Sequence, residues 1–232
     1  SISVNRAWHG AAADWFVAPN PQTAEVMRRQ GVDPARILPL GFPVSSRLRA
    51  GPGGPPSSRP RVLLMLNPGR RDAVELASAM AGLDVDLTVT VGKDADFQSA
   101  VAAAVAGRGQ VIGWTDRLPE LILSSDLVMT KAGGATTHEC VAAGVPMVFT
   151  QVIPGQEAGN ARLVVEGGAG AYGLTPHSAV AAVRRAFADE RAVWRSWRAA
   201  MPSLGDALGA DRVADLVASE AQLAAPNVAA IR

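Results

Sequence analysis

The residues best suited to chemistry cluster in one run, Asp126-Leu127-Val128-Met129-Thr130-Lys131-Ala132-Gly133-Gly134-Ala135-Thr136-Thr137-His138-Glu139. Leu127 to Met129 is a short apolar stretch suited to a strand covered on both faces. Gly133 and Gly134 let the backbone turn sharply and approach a ligand closely. Thr136 then opens a helix that ends at Gly144. A helix N-terminus presents unpaired N–H groups and the positive end of a dipole, so it can hold a phosphate. Glu139 lies one turn further in, where a carboxylate can accept hydrogen bonds from sugar hydroxyls. Phosphate donors beside a diol acceptor suit a nucleotide sugar. The same spacing, Thr136-x-x-Glu139, also makes a capping box that needs no ligand. Lys131 could meet a phosphate or an anionic lipid surface, or stand solvated.

The chain continues through a second buried strand, Pro146-Met147-Val148-Phe149-Thr150, into Gln151-Val152-Ile153-Pro154-Gly155-Gln156-Glu157-Ala158-Gly159-Asn160. The ordered set Thr130-Lys131-Ala132-Gly133, Thr136, Glu139, Gly144-Val145-Pro146, Pro154 to Asn160 and Val164-Val165-Glu166-Gly167-Gly168 resembles the nucleotide-sugar-binding half of the monogalactosyldiacylglycerol synthases. Those enzymes group with the MurG-type glycosyltransferases of the GT-B fold. Several independent positions agree, which makes the resemblance far more specific than a lone glycine turn.

The resemblance implies a set of roles. Glu139 would grip the two ribose hydroxyls, a strong charge-assisted arrangement. Trp114, in Gly113-Trp114-Thr115, would flank the uracil ring; its alternative is packing between helix and sheet. Gln156 and Glu157 would reach the sugar hydroxyls, with Asn160 ordering their loop; otherwise Glu157 is a charge favourably placed at a helix N-terminus. Gly133, Gly134 and Thr136 would face the diphosphate. One position departs from the family. Its glycine-rich turn after the first strand of this lobe is here Asn67-Pro68-Gly69-Arg70. Gly69 persists, but Pro68 removes an N–H donor, so Arg70 or Arg71 could supply charge instead.

The implied activity is inverting transfer of a hexose, galactose or glucose, from a UDP-sugar to a lipid acceptor such as diacylglycerol. The general base would belong to an N-terminal acceptor lobe. Two other readings are a non-catalytic UDP-sugar-binding subunit of a split glycosyltransferase, and a UDP-N-acetylhexosamine transferase or epimerase of the same fold. No cofactor and no metal are expected. Asp84-x-Asp86 precedes its strand, on the wrong edge of the sheet, and Asp94 or Asp96 reads as a helix cap. His138-Glu139 is not a zinc helix, because residue 142 is Ala.

The elements that must position these residues alternate as strand and helix from Arg61 onward. That pattern gives an α/β fold with a Rossmann-like parallel sheet; the resemblance implies that it is of GT-B type, preceded by a remnant of a second lobe. Residues 1–50 read as the tail of that N-terminal lobe and the crossing between lobes, through Gly41-Phe42-Pro43-Val44; residues 51–60 read as a linker, and 61–232 as the UDP-sugar-binding domain. Ligands in such sheets bind beyond the carboxyl ends of the strands. Gly69, Trp114, Thr136, Glu139 and Gln156 all fall there. Trp194 and Trp197, three apart on a helix, read as packing. The first residue is Ser, which reads as a processed or truncated form of something longer.

The 232 residues carry a formal net charge of +1, so no nucleic-acid partner is implied. A single cysteine, Cys140, excludes an internal disulfide and fits a cytoplasmic setting. No stretch is long and apolar enough to span a bilayer. Any membrane contact would be peripheral, on the cytoplasmic face.

Overall fold

The computed structural model describes residues 4–10, 12–50, 58–155 and 157–224. Most of the expected linker, and Gln156, lie outside the described residues. A small parallel pair comes first: β1 (Phe16–Val17) and β2 (Ile37–Leu38), joined by α1 (Pro21–Arg29). Pro21 takes the first helical position, and the Asn20 side chain caps α1 by accepting the Thr23 N–H at 2.8 Å. Ala18, Ala24, Met27 and Ile37 form a small core of their own.

The larger unit runs β3 (Arg61–Met65), α2 (Ala73–Ala81), β4 (Asp86–Thr90), α3 (Ala95–Val105), β5 (Gly109–Ile112), α4 (Leu118–Leu123), β6 (Leu127–Lys131), α5 (Gly134–Ala143), β7 (Met147–Gln151), α6 (Ala158–Glu166), β8 (Gly170–Tyr172), α7 (Pro176–Phe187), α8 (Ala192–Ala200) and α9 (Gly209–Ala224). Its six strands are all parallel, in the order β5-β4-β3-β6-β7-β8. This is the doubly wound arrangement, and its switch point falls between β3 and β6. Successive strand residues point to opposite faces, so the apolar runs feed two cores. Val62, Leu64, Leu127 and Met129 face α2, α7 and α8. Leu63, Val128, Met147 and Phe149 face α5 and α6.

An ion pair between half-buried Arg61 and buried Asp126 ties the N-terminal ends of β3 and β6 together. The Asp126 carboxylate accepts the Arg61 backbone N–H at 2.8 Å and its guanidinium at 2.9 and 3.2 Å. Trp194 adds its indole N–H to the Asp126 carbonyl at 2.6 Å, so this tryptophan packs, as the sequence implied. Replacing Asp126 with alanine strands the Arg61 donors. The guanidinium is 31% exposed and can regain water, so the expected loss in urea unfolding is about 2 kcal/mol, within the range for unsatisfied partners.

Candidate functional site

The glycine turn after β6 sits at the switch point. Helix α5 starts at Gly134, with Gly133 as N-cap, two residues before the start expected from sequence. Thr136 is therefore the third helical residue, and it makes no capping box with Glu139. The correction has a physical cause. Gly133 is extended (φ −66°, ψ 143°), with its N–H bonded to the Lys131 carbonyl at 2.8 Å, so the chain turns at once. Neither glycine adopts a positive φ. Space is tight only at Gly133, where a methyl group would stand 3.1 Å from the mobile end of Lys131; one on Gly134 would make ordinary contact, 3.7 Å from Asn160 Nδ2. The first intrahelical bond here is Thr137 N–H to the Gly133 carbonyl at 3.0 Å. The N–H groups of Gly134, Ala135 and Thr136 therefore have no partner among the described residues, as helix starts leave them.

The start of α5, at Gly133 and Gly134, opens onto a cavity of about 630 Å³. One wall is polar, made by Lys131, Gly133, Gly134, His138, Glu157 and Asn160. The facing wall is apolar and belongs to the small sheet and the crossing segment, with Trp8, Trp15, Phe16, Met27, Phe42 and Pro43. Arg212 from α9 holds that segment by donating to the Leu40 carbonyl at 3.2 Å.

Of the sequence candidates, Gly133, Gly134, Glu157 and Asn160 are thus brought together. Asn160 donates to the Ala132 carbonyl at 2.9 Å, which orders the turn. Glu157 is buried at the N-cap of α6; its carboxylate takes the Ile153 N–H at 3.1 Å and Lys131 Nζ at 2.5 Å. The Lys131 charge is therefore already answered within the chain. Gln156 lies outside the described residues.

The remaining candidates sit elsewhere on the carboxyl edge. Gly69 is exposed in a turn closed by the Arg70 N–H to the Asn67 carbonyl at 3.2 Å. The suggestion that Arg70 offers charge to a phosphate is overturned. Its guanidinium is buried, donating to the Thr150 carbonyl, to the Leu174 carbonyl at 3.2 Å and to Asp72 at 2.9 Å. Asp72 accordingly leaves α2 uncapped. Arg71 is exposed. Trp114 is 64% exposed beyond β5, with Lys93 Nζ 5.1 Å from its ring centroid. An open indole face with a cation over it can accept a flat base. Glu139 is half-buried and has no partner among the described residues; burial raises its pKa above the usual carboxylate value. Asp94 caps α3, accepting the Phe97 N–H at 2.9 Å.

His138 went unrecognised as a site residue from sequence. Its spacing from Gly134, i and i+4, does place both on one helix face. The imidazole is buried, stacked on Phe42 with 4.6 Å between centroids and 7° between planes. Burial drops its pKa to about 3, so it is neutral at pH 7.

A doubly wound parallel sheet with a free helix N-terminus at its switch point is the Rossmann-like α/β architecture, in which ligands bind beyond the carboxyl ends of the strands. The sequence profile of the glycosyltransferase family 28 C-terminal domain matches residues 70–188, and the chain belongs to that family. It is 26% identical over 206 residues to a processive diacylglycerol beta-glucosyltransferase of Bacillus subtilis, covering 83% of this chain and 54% of the relative. The enzyme of the same name from Staphylococcus aureus is 27% identical over 199 residues, covering 76% of this chain and 49% of the relative. The chain thus spans about half the length of the curated relatives it matches. The fold is shared with S. aureus MnaA bound to UDP (TM-score 0.72, 16% identity, 94% of this chain and 64% of that one). It is also shared with Acinetobacter baumannii MurG (TM-score 0.58, 18% identity, 92% of this chain and 77% of that one). No helix among the described residues is long and apolar enough to cross a membrane.

Proposed function

We propose that this chain is the donor-holding part of a glycosyltransferase that moves a hexose from a UDP-sugar to a lipid acceptor such as diacylglycerol. The observation that carries the reading is the two-sided cavity. The start of α5 and polar side chains form one wall, and aromatic and aliphatic side chains form the other. A transferase joining a sugar diphosphate to a lipid needs both surfaces within one sugar's reach.

In this reading the diphosphate lies at the N-terminus of α5. There backbone donors stabilise the negative charge that grows as the leaving group departs. Glu139 takes the ribose diol and Trp114 the base. Residues 1–50 supply the tail of an acceptor lobe, and Trp8 and Trp15, both exposed, would favour peripheral contact with a lipid surface. The curated relatives are named glucosyltransferases, which favours glucose over galactose. The narrower kinship with the monogalactosyldiacylglycerol synthases is part of the same proposal.

Calorimetric titration of the chain with UDP, UDP-glucose, UDP-galactose and UDP-N-acetylglucosamine tests it. UDP and a UDP-hexose should bind, with UDP-glucose ahead, and a chelator should leave the affinity unchanged. Failure of every uridine compound to bind would refute the reading.

A further inference from the structure

His138 is 5% exposed, yet neither ring nitrogen has a hydrogen-bond partner among the described residues. Neither nitrogen is sealed from solvent as a buried orphan would be, so the ring edge is open to bond a ligand that enters beside it. The stack on Phe42 fixes the plane of the ring and leaves its nitrogens at the edge unused. The ring also lines the cavity. Side chains on a helix tilt toward its N-terminus. The imidazole therefore leans toward the turn that begins at Gly134. Four residues of helix rise about 6 Å, and the tilt shortens that separation, so the ring lies within about one sugar ring's reach of the free N–H groups. Facing groups on the same wall are the Lys131–Glu157 pair and Asn160, each already bonded within the chain; the facing wall, from the small sheet and crossing segment, carries no charged side chain.

We infer that His138 is a specificity-determining residue, a neutral imidazole that hydrogen-bonds a hydroxyl of the sugar carried on a nucleoside diphosphate. The inference rests on the donor-binding reading above. Burial keeps the ring uncharged across pH 5 to 8, so it acts as donor and acceptor rather than as a counter-charge to phosphate.

His138→Phe keeps an aromatic ring on Phe42 and removes both nitrogens. The 232-residue chain and this variant are titrated with UDP, UDP-glucose and UDP-galactose. The variant should lose about three- to tenfold in UDP-hexose affinity, the worth of one buried hydrogen bond, with UDP affinity held. His138→Gln should restore part of the loss. In the wild type the ratio of UDP-hexose to UDP affinity should stay flat from pH 5 to 8. An unchanged ratio in His138→Phe overturns the inference while leaving donor binding intact. Absence of UDP binding by the wild type would instead sink the reading beneath it. If the phenylalanine variant unfolds, His138→Met removes the same nitrogens with less bulk in the stack and carries the same two outcomes.

Discussion

Replacing Glu139 with alanine should weaken UDP binding about a hundredfold and raise the melting temperature at the same time. The loss follows from removing two hydrogen bonds to a charged acceptor, each worth about 1.5–3 kcal/mol, so the low end gives about 3 kcal/mol. The gain follows from burial. Glu139 is half-buried with no partner among the described residues, and desolvation raises its pKa above the usual carboxylate value. A raised folded-state pKa means the folded chain holds the proton more tightly than the unfolded chain. That contribution to stability is fully present below the unfolded pKa and fades as pH climbs through the folded one. At neutral pH the folded chain therefore bears an unanswered charge that alanine removes. Binding runs the other way, because a diol needs the ionised carboxylate. Wild-type affinity should fall on acidification through the raised pKa, and Glu139→Gln should remove that dependence. Calorimetry across pH 4.5 to 8, beside melting curves of the same samples, reads both effects. Equal UDP affinity in the alanine variant would remove Glu139 from the site, and a lower melting temperature would mean its carboxylate is structurally engaged.

The sheet was legible because its signal is local. Runs such as Val62 to Leu66 and Leu127 to Met129 are short, apolar and bounded by turn residues, and each became a strand in the six-stranded parallel sheet. Element ends were less legible. Thr136 and Glu139 have capping-box spacing, but the hydrogen bond from Gly133 to the Lys131 carbonyl started α5 earlier, and no local pattern announces that contact. Arg70 illustrates the same limit. In sequence it is a cation beside a glycine turn; besides its neighbour Asp72, its acceptors are the carbonyls of residues 150 and 174, which only the fold brings near. The cavity's apolar wall was hidden for a different reason. Trp15 and Phe16 lie within a stretch that reads only as the tail of another lobe, and Phe42 as part of a crossing, until α9 pins that segment against α5. His138 was dismissed as a failed zinc ligand because motif logic asks what a residue could coordinate. It does not ask which helix face the residue shares with Gly134.

That pinning makes the largest stability effect fall far from the glycine turn. Gly209→Ala should destabilise the chain by about 3 kcal/mol, the upper part of the usual range for overpacking. Helix propensity alone predicts the opposite sign, since alanine is favoured over glycine by about 1 kcal/mol within a helix. Contact decides the matter. A methyl group on Gly209 would stand 2.3 Å from the Phe42 carbonyl oxygen and 2.6 Å from its carbon, and Gly41 approaches the same spot with φ of 99°. Backbone cannot swing aside as a long side chain can, so the crossing segment must lift away from α9. Phe42 would move with it, and its stack on His138 would open. The variant should therefore lose UDP-hexose affinity more than UDP affinity, because the diphosphate donors at α5 do not touch Phe42. Urea unfolding and the paired titrations measure the two effects separately. A melting temperature above wild type would show that the segment moves freely over α9. An unchanged UDP-hexose to UDP ratio in a destabilised variant would show that the stack does not shape the sugar's place.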